Sequence, residues 1–298
     1  MKIANKGFAP ALGAFAVWGA FPLYFYWLRE VSPVQVIAHR VVWSCAFVIV
    51  WIGVRGELAM LRSTLAARGI VLRLALSASL ISLNWLVYVW AVMHGHVVES
   101  SLGYFIGPLV NILLGVALLS ERLTPAQWTA VILAAIGVGY LTVVGRALPY
   151  IALTLAFSFS VYGLIRKVVK IEALPGLAIE TLLLFPIAVC YLLWCELVGS
   201  GALGHAGLAI NALLVASGPV TAIALFLYAY GTRLLPYSTV GLLQFITPTL
   251  QFACGVLVLH EPFHRERAIG FTIIWTALLI YAGDTLRQSR RGPAALAS

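Results

Sequence analysis

Apolar residues run along this chain in long blocks, punctuated by Gly, Pro and charged residues instead of alternating with polar ones. A bilayer core of ~30 Å needs roughly 20 helical residues at ~1.5 Å each, and ten blocks reach that length. They cover 7–27, 34–54, 70–93, 97–118, 125–145, 148–168, 176–198, 207–230, 238–259 and 265–286. The intervening turns are too short for a separate soluble domain. The pattern predicts an all-α integral membrane protein with ten transmembrane helices. Ser32-Pro-Val-Gln35 and Thr124-Pro-Ala-Gln127 read as capping boxes with proline at the first helical position, fixing the starts of the second and fifth helices.

Polar positions inside the blocks are few and ordered. On the fourth block Ser100, Tyr104, Pro108, Asn111 and Gly115 fall on one helical face, and on the ninth Gln244, Pro248, Gln251 and Gly255 do the same. A shift of 140 residues lays Phe105, Ile106, Pro108, Gly115, Val116, Leu119 and Glu121 on Phe245, Ile246, Pro248, Gly255, Val256, Leu259 and Glu261. A similar shift sets FAVWG of the first block beside FSVYG of the sixth. The expectation is two five-helix halves, 1–145 and 146–298. Because five is odd, the halves enter the membrane from opposite sides, as in inverted-repeat transporters. A mid-helix proline donates no N–H and pushes away the carbonyl four residues earlier, here those of Tyr104 and Gln244. Freed backbone is tolerated in hydrocarbon only where protein or a watery cavity meets it. Pro108 and Pro248 are therefore expected to bend two helices around a shared central pocket, with Tyr104, Asn111, Gln244 and Gln251 lining it.

Composition agrees: 62% of residues are hydrophobic, 10% are charged and mean hydropathy is +1.01. Soluble domains run near a quarter charged. The net charge of +9 would fit a nucleic-acid binder, but its placement excludes that. With the N-terminus inside, Lys2, Lys6, Arg55, Arg62, Arg68, Arg73, Arg122, Arg166, Lys167, Lys170, Arg233, Arg287, Arg290 and Arg291 fall on the inner side. Arg29, Arg146, Arg265 and Arg267 fall outside, and this positive-inside bias predicts cytoplasmic termini. The opening MKIANKGFAPALGAFAVWG has the charge pattern of a signal peptide, but its apolar run continues to Trp27, so it is read as an uncleaved first span. Cys45, Cys190, Cys195 and Cys254 lie in apolar blocks without Cys-x-x-Cys spacing and read as small buried hydrophobes.

Arg40 sits about two turns inside the second block, where an arginine costs at least ~2.5 kcal/mol to insert. It therefore snorkels to the surface, pairs with Glu99 or Glu180, or binds an anionic or zwitterionic group of a solute. Asn84 and Tyr88, four residues apart on the third block with Ser77 behind them, are expected to face the same cavity, whereas Trp85 and Trp90 are expected to face lipid or its interface. His39 and Glu180 are candidate proton carriers; Glu180 has Lys167 or Lys170 as its alternative, structural partners. Glu99 fits the positive N-terminal end of its own helix, and Glu121 and Glu261 are expected to be solvated at helix ends. Trp18 and Tyr162 precede Gly19 and Gly163, where close helix crossings are expected, with lining of the cavity as the alternative role.

HRVVWS (39–44), NWLVYVWAV (84–92), ESSLGYFIGPLVNILLG (99–115), ERL (121–123), FSFSVYGLIRK (157–167), IETLLLFP (179–186) and FITPTLQF (245–252) resemble the RarD family. This is the EamA branch of the drug/metabolite transporter superfamily, and the resemblance runs nearly the whole chain in order. It implies ten helices as a five-plus-five inverted repeat in a cell or inner membrane, and permeation of a small solute, often drawn as efflux. Members are commonly labelled chloramphenicol-sensitivity or resistance permeases, and a related branch exports aromatic amino acids. No Walker A motif is present, so energy would come from a solute or ion gradient. Asp284 is the only aspartate, and His-Glu-x-x-His and Gly-x-Ser-x-Gly are absent, which argues against an intramembrane enzyme. A non-transporting scaffold would not need twin mid-helix prolines. No catalytic residue, metal or cofactor is expected; the partners are a small solute and membrane lipid, and monomer and homodimer are both compatible.

Overall fold

The computed structural model describes residues 2–58, 61, 65, 67–119, 123–169, 173–234 and 243–291. Helices follow one another along the chain, with no strand among the described residues. They are α1 (Lys2–Trp27), α2 (Pro33–Val54), α3 (Arg68–Met93), α4 (Val97–Leu119), α5 (Pro125–Gly145), α6 (Tyr150–Val169), α7 (Ala173–Leu197), α8 (Leu208–Leu234), α9 (Ile246–Ala253) and α10 (Arg265–Arg291). Among the described residues six stretches are long and apolar enough to span a membrane by themselves: Gly7–Trp27, Pro33–Val54, Arg68–Met93, Pro125–Gly145, Pro175–Leu197 and Leu208–Tyr228. Val97–Val110, Tyr150–Arg166 and Ile246–Val258 are shorter apolar helices.

The distribution of polarity is that of a protein dissolved in lipid. Leu72, Leu83, Ile132, Ile187, Leu197 and Leu279 are exposed, while Ser44, Ser77, Asn84, Ser160, Thr181 and Thr221 are buried. Backbone carbonyls inside the bundle satisfy most of these hydroxyls; Thr181 Oγ1, for instance, donates to the Leu177 carbonyl at 2.8 Å. Hydrocarbon offers polar groups no partner, so they turn inward and the apolar side chains face out.

α1 packs on α8 and α9; α4 packs on α6 and α9; α2 packs on α8, α7 and α3; α3 also packs on α6 and α7; α5 packs on α10. Small residues set the closest approaches. A Cβ on Gly218 of α8 would stand 2.2 Å from the Trp43 carbonyl carbon of α2, so only glycine lets these backbones meet. Gly19 is similarly blocked by Leu250 at 2.7 Å, the expected close crossing, but Gly163 has nothing within 4 Å. Its match in the repeat therefore does not carry the contact with it.

One of the two predicted capping boxes forms. Thr124 Oγ1 accepts from Gln127 N at 3.2 Å, and Gln127 Oε1 accepts from Thr124 N at 3.1 Å. Thr124 Oγ1 also donates to Asp284 of α10 at 2.8 Å. At Ser32 the box is absent: the serine makes no cap bond, and Gln35 bonds instead to the Ser200 carbonyl and the Ala202 N–H, at 2.8 and 3.0 Å. A long-range loop has outcompeted the local cap. Cys190 is exposed rather than buried, and all four cysteines are free.

The two proline motifs fold differently. α4 passes through Pro108 as a continuous helix, and Ser160 of α6 donates to the Gly107 carbonyl at 3.1 Å. α9 gives way after Pro248 to a π-turn, Cys254–Val258, closed by Leu259 N on the Cys254 carbonyl at 2.9 Å. Wider π-turns leave carbonyls out of step with the helix and recur at functional positions.

Candidate functional site

Arg40 lies seven residues after Pro33 on α2, roughly 10 Å along the helix axis, and is 3% exposed. It reaches no carboxylate among the described residues: neither Glu99 nor Glu180 pairs with it. Its Nε donates to Thr221 Oγ1 of α8 at 2.9 Å, and Thr221 passes its own proton to the Ser217 carbonyl at 2.8 Å. The guanidinium stands 4.0 Å above the Trp85 ring, with Phe21 and Phe25 centroids at 5.4 and 5.7 Å. A desolvated cation over an aromatic face gains ~2 kcal/mol or more, which offsets part of the burial cost. Arg40 Nη1 is buried and has no hydrogen-bond partner.

The surrounding walls come from several helices. Tyr24, Tyr88 and Tyr104 hydroxyls lie within electrostatic reach of the guanidinium. Tyr88 packs edge-on against Phe25 and Tyr104, at 6.1 and 5.7 Å between centroids, and its buried hydroxyl is also unpartnered. Tyr24 donates to the Leu213 carbonyl. Asn84, 1% exposed, is the hub on the other side. Its Nδ2 donates to the Leu155 carbonyl at 3.0 Å and Ser158 Oγ at 2.9 Å, and its Oδ1 accepts from Tyr104 at 3.2 Å. A cation, a hydroxyl unpartnered among the described residues, an amide hub and aromatic faces thus meet inside the bundle. Such a set offers charge, stacking and directed hydrogen bonds to a small organic group.

Of the residues singled out in the sequence, Arg40, Asn84, Tyr88 and Tyr104 come together here. Gln251 does not join them: its Nε2 donates to the Trp18 carbonyl of α1 at 3.2 Å, and beside it Thr247 donates to the Phe15 carbonyl at 2.9 Å. Pro248 is buried and Gln244 is half-buried in the turn before α9. The Asn111 side chain lies outside the described residues, as does Glu121. His39 is 4% exposed and faces a different space, a cavity of about 220 Å³ between α2 and α7 lined also by Gln35, Trp43 and Glu196.

Glu180 sits in a separate polar network. It accepts from Ser77 Oγ at 2.6 Å and lies 3.7 Å from Arg166 Nη1, so its ionic partner is Arg166 on α6. The Lys167 side chain and Lys170, the partners expected for it, lie outside the described residues.

Three side chains lie otherwise than the sequence predicts. Trp85 turns inward onto Arg40 instead of facing lipid. Glu261 is 9% exposed, not solvated, and its two oxygens accept from Val97 N and Val98 N at 2.6 and 2.8 Å. These amides open α4, where backbone donors are unpaired and the helix dipole favours a carboxylate. With Glu261 there, Glu99 reaches across to the start of α6 and accepts from Ile151 N at 3.3 Å. Nothing in the sequence marks Thr221, Ser158 or Tyr24 for this cluster. Isolated hydroxyls in apolar helices ordinarily bond back to their own turn and give no signal of a tertiary role.

A buried polar cluster inside a multi-pass helical bundle, with its apolar side chains facing out, defines a multi-pass membrane protein, and the relatives make it a membrane transporter. Residues 5–143 match the EamA-like transporter family. Protein RarD of Streptomyces exfoliatus is 42% identical over 99% of this chain and 95% of its own. An uncharacterized transporter of Pseudomonas aeruginosa is 40% identical over 98% and 99%. The chloramphenicol-sensitive protein RarD of the same organism is 32% identical over 98% and 100%. A solved crystal structure shares the fold at a TM-score of 0.61, covering 92% of this chain and 96% of its own at 20% identity. The chain belongs to the RarD family of the drug/metabolite transporter superfamily.

Proposed function

We propose that this protein carries a small organic solute outward across the cell membrane, through a pocket formed where residues 1–145 meet 146–298. The observation that carries this reading is the cluster of Arg40, Asn84, Tyr88 and Tyr104, whose polar bonds cross between the two halves to Thr221, Leu155 and Ser158. The halves are a five-plus-five inverted repeat with cytoplasmic termini. Support comes from the packing scheme: replacing each helix by the one five places along turns α1–α8 into α6–α3, α4–α6 into α9–α1, and α2–α8 into α7–α3. α2–α7, α4–α9 and α5–α10 turn into themselves. Two related bundles with a site between them can alternate access by rocking.

In this reading Pro108 and Pro248 shape the moving helices, and Gln244, Gln251 and Asn111 complete the solute's path as it passes. His39 and Glu180 are the groups through which protons couple. The test starts from comparison of metabolites retained by cells with and without the protein, followed by flux in proteoliposomes with imposed pH gradients. Asn84→Leu should abolish flux of the solute so identified while the protein stays folded. Full flux in that variant removes the cluster from the pathway.

A further inference from the structure

Arg40 and Glu180 stand in a relation that neither residue shows alone. The 140-residue shift that matches Pro108 with Pro248 carries Arg40 onto Glu180. Each is almost fully buried, at 3% and 2% exposure. Each bonds a hydroxyl on the corresponding helix: Arg40 to Thr221 of α8, Glu180 to Ser77 of α3. The two positions hold opposite charges, and they are compensated differently. Glu180 has a cation, Arg166, 3.7 Å away. Among the described residues Arg40 has a hydroxyl and three aromatic rings, no carboxylate within ion-pair distance, and an Nη1 without a partner. Beside it the Tyr88 hydroxyl is likewise unpaired.

A cation taken out of water without a counter-anion is stable only if something supplies one, because the low-dielectric interior magnifies the imbalance. The protein closes the charge at Glu180 from within and leaves the charge at Arg40 open. We infer that Arg40 is the receptor for a single anionic group, a carboxylate, on the transported solute, with Tyr88 donating to the second oxygen and the solute's apolar body lying on Phe21, Phe25 and Trp85. This deepens the transport reading and rests on it for the identity of the guest as cargo. The substrate class is a small organic acid, or an amino acid, with an aromatic or aliphatic tail. A guanidinium binds a carboxylate with planar geometry that an ammonium cannot copy, so Arg and Lys are distinguishable here.

The test is binding by the full-length purified protein, measured as ligand-dependent thermal stabilisation and by titration calorimetry, with 3-phenylpropionate and its uncharged amide as the matched probes. The acid should bind the wild type at least about tenfold more tightly than the amide. Arg40→Gln should erase that preference, Arg40→Lys should keep it at lower affinity, and Tyr88→Phe should weaken the acid but not the amide. Equal binding of acid and amide, no binding of either at millimolar concentration, or an unchanged preference in folded Arg40→Gln overturns the inference and leaves Arg40 a structural residue held by Thr221 and Trp85. Binding is read without translocation, so the two readings fail separately. Acid-selective binding with no flux sinks transport alone; full flux of the solute found in cells, in folded Arg40→Gln, sinks the anion site alone.

Discussion

Glu261 offers a direct measurement of how the bundle is closed at one end. Its carboxylate accepts from Val97 N and Val98 N at 2.6 and 2.8 Å and so holds the exit of the π-turn against the entry of α4. Hydrogen bonds to a charged group contribute about 1.5 kcal/mol or more each, and a carboxylate at a helix start adds about 0.5 kcal/mol. Glu261→Gln keeps one acceptor oxygen but loses the second and the charge, an expected loss of about 2 kcal/mol. Glu261→Ala loses both acceptors, about 3–4 kcal/mol. The readout is hydrogen exchange of the peptide containing residues 96–99, in detergent, where about 2 kcal/mol becomes a roughly 30-fold faster opening. Peptides from α5 and α10, which do not touch this contact, should exchange as in the wild type. If the amides of Val97 and Val98 keep their protection in Glu261→Gln while the α5 peptides loosen, the residue acts through global stability and the capping account is wrong.

Three further outcomes follow from burial and packing. Glu180→Leu removes the carboxylate that faces Arg166 and should cost about 3–5 kcal/mol in equilibrium unfolding, much of it recovered in Glu180→Leu with Arg166→Met. No recovery in the double variant would show that the pair is not the source of the loss. Gly218→Ala places a methyl 2.2 Å from the α2 backbone and should lower stability by about 1–3 kcal/mol, whereas Gly163→Ala meets nothing within 4 Å and should be neutral or raise it by about 1 kcal/mol. Melting temperatures of the two purified variants decide this; equal losses would refute the packing assignment. Cys190 is exposed and Cys45 is 4% exposed, so a lipid-soluble maleimide should label the first and spare the second until the protein is unfolded.

The helices were legible because insertion in lipid demands long unbroken apolar runs, and such runs are visible without knowing any contact. Arg40, Asn84, Tyr88 and Tyr104 were legible for the complementary reason: polar groups that deep need a purpose. What they touch was not. Trp85 is one residue from Asn84, and its direction depends on where α2 packs, which periodicity does not encode. Thr221 looks like any threonine of an apolar helix, since its proton does go to its own turn; only its lone pair serves Arg40. Glu261 reads as a surface residue in HEPFHRER because the amides that hold it begin a helix 164 positions earlier in the chain. The Ser32 box failed for the same reason, a distant loop claiming Gln35. Local rules stop where a partner comes from the other half.

Those cross-half bonds have a consequence for how the protein is made. As the ribosome releases the chain, Arg40, Asn84 and the first amides of α4 enter the bilayer well before Thr221, Leu155 and Glu261 exist to receive them. Through most of synthesis the early segments carry an unmatched cation, an unmatched amide and an uncapped terminus. Maturation is therefore set by arrival of the last segments, and an amino-terminal fragment expressed alone is left with open polar groups that attract quality-control proteases. Supplying the missing fragment as a separate chain in the same cell would complete them.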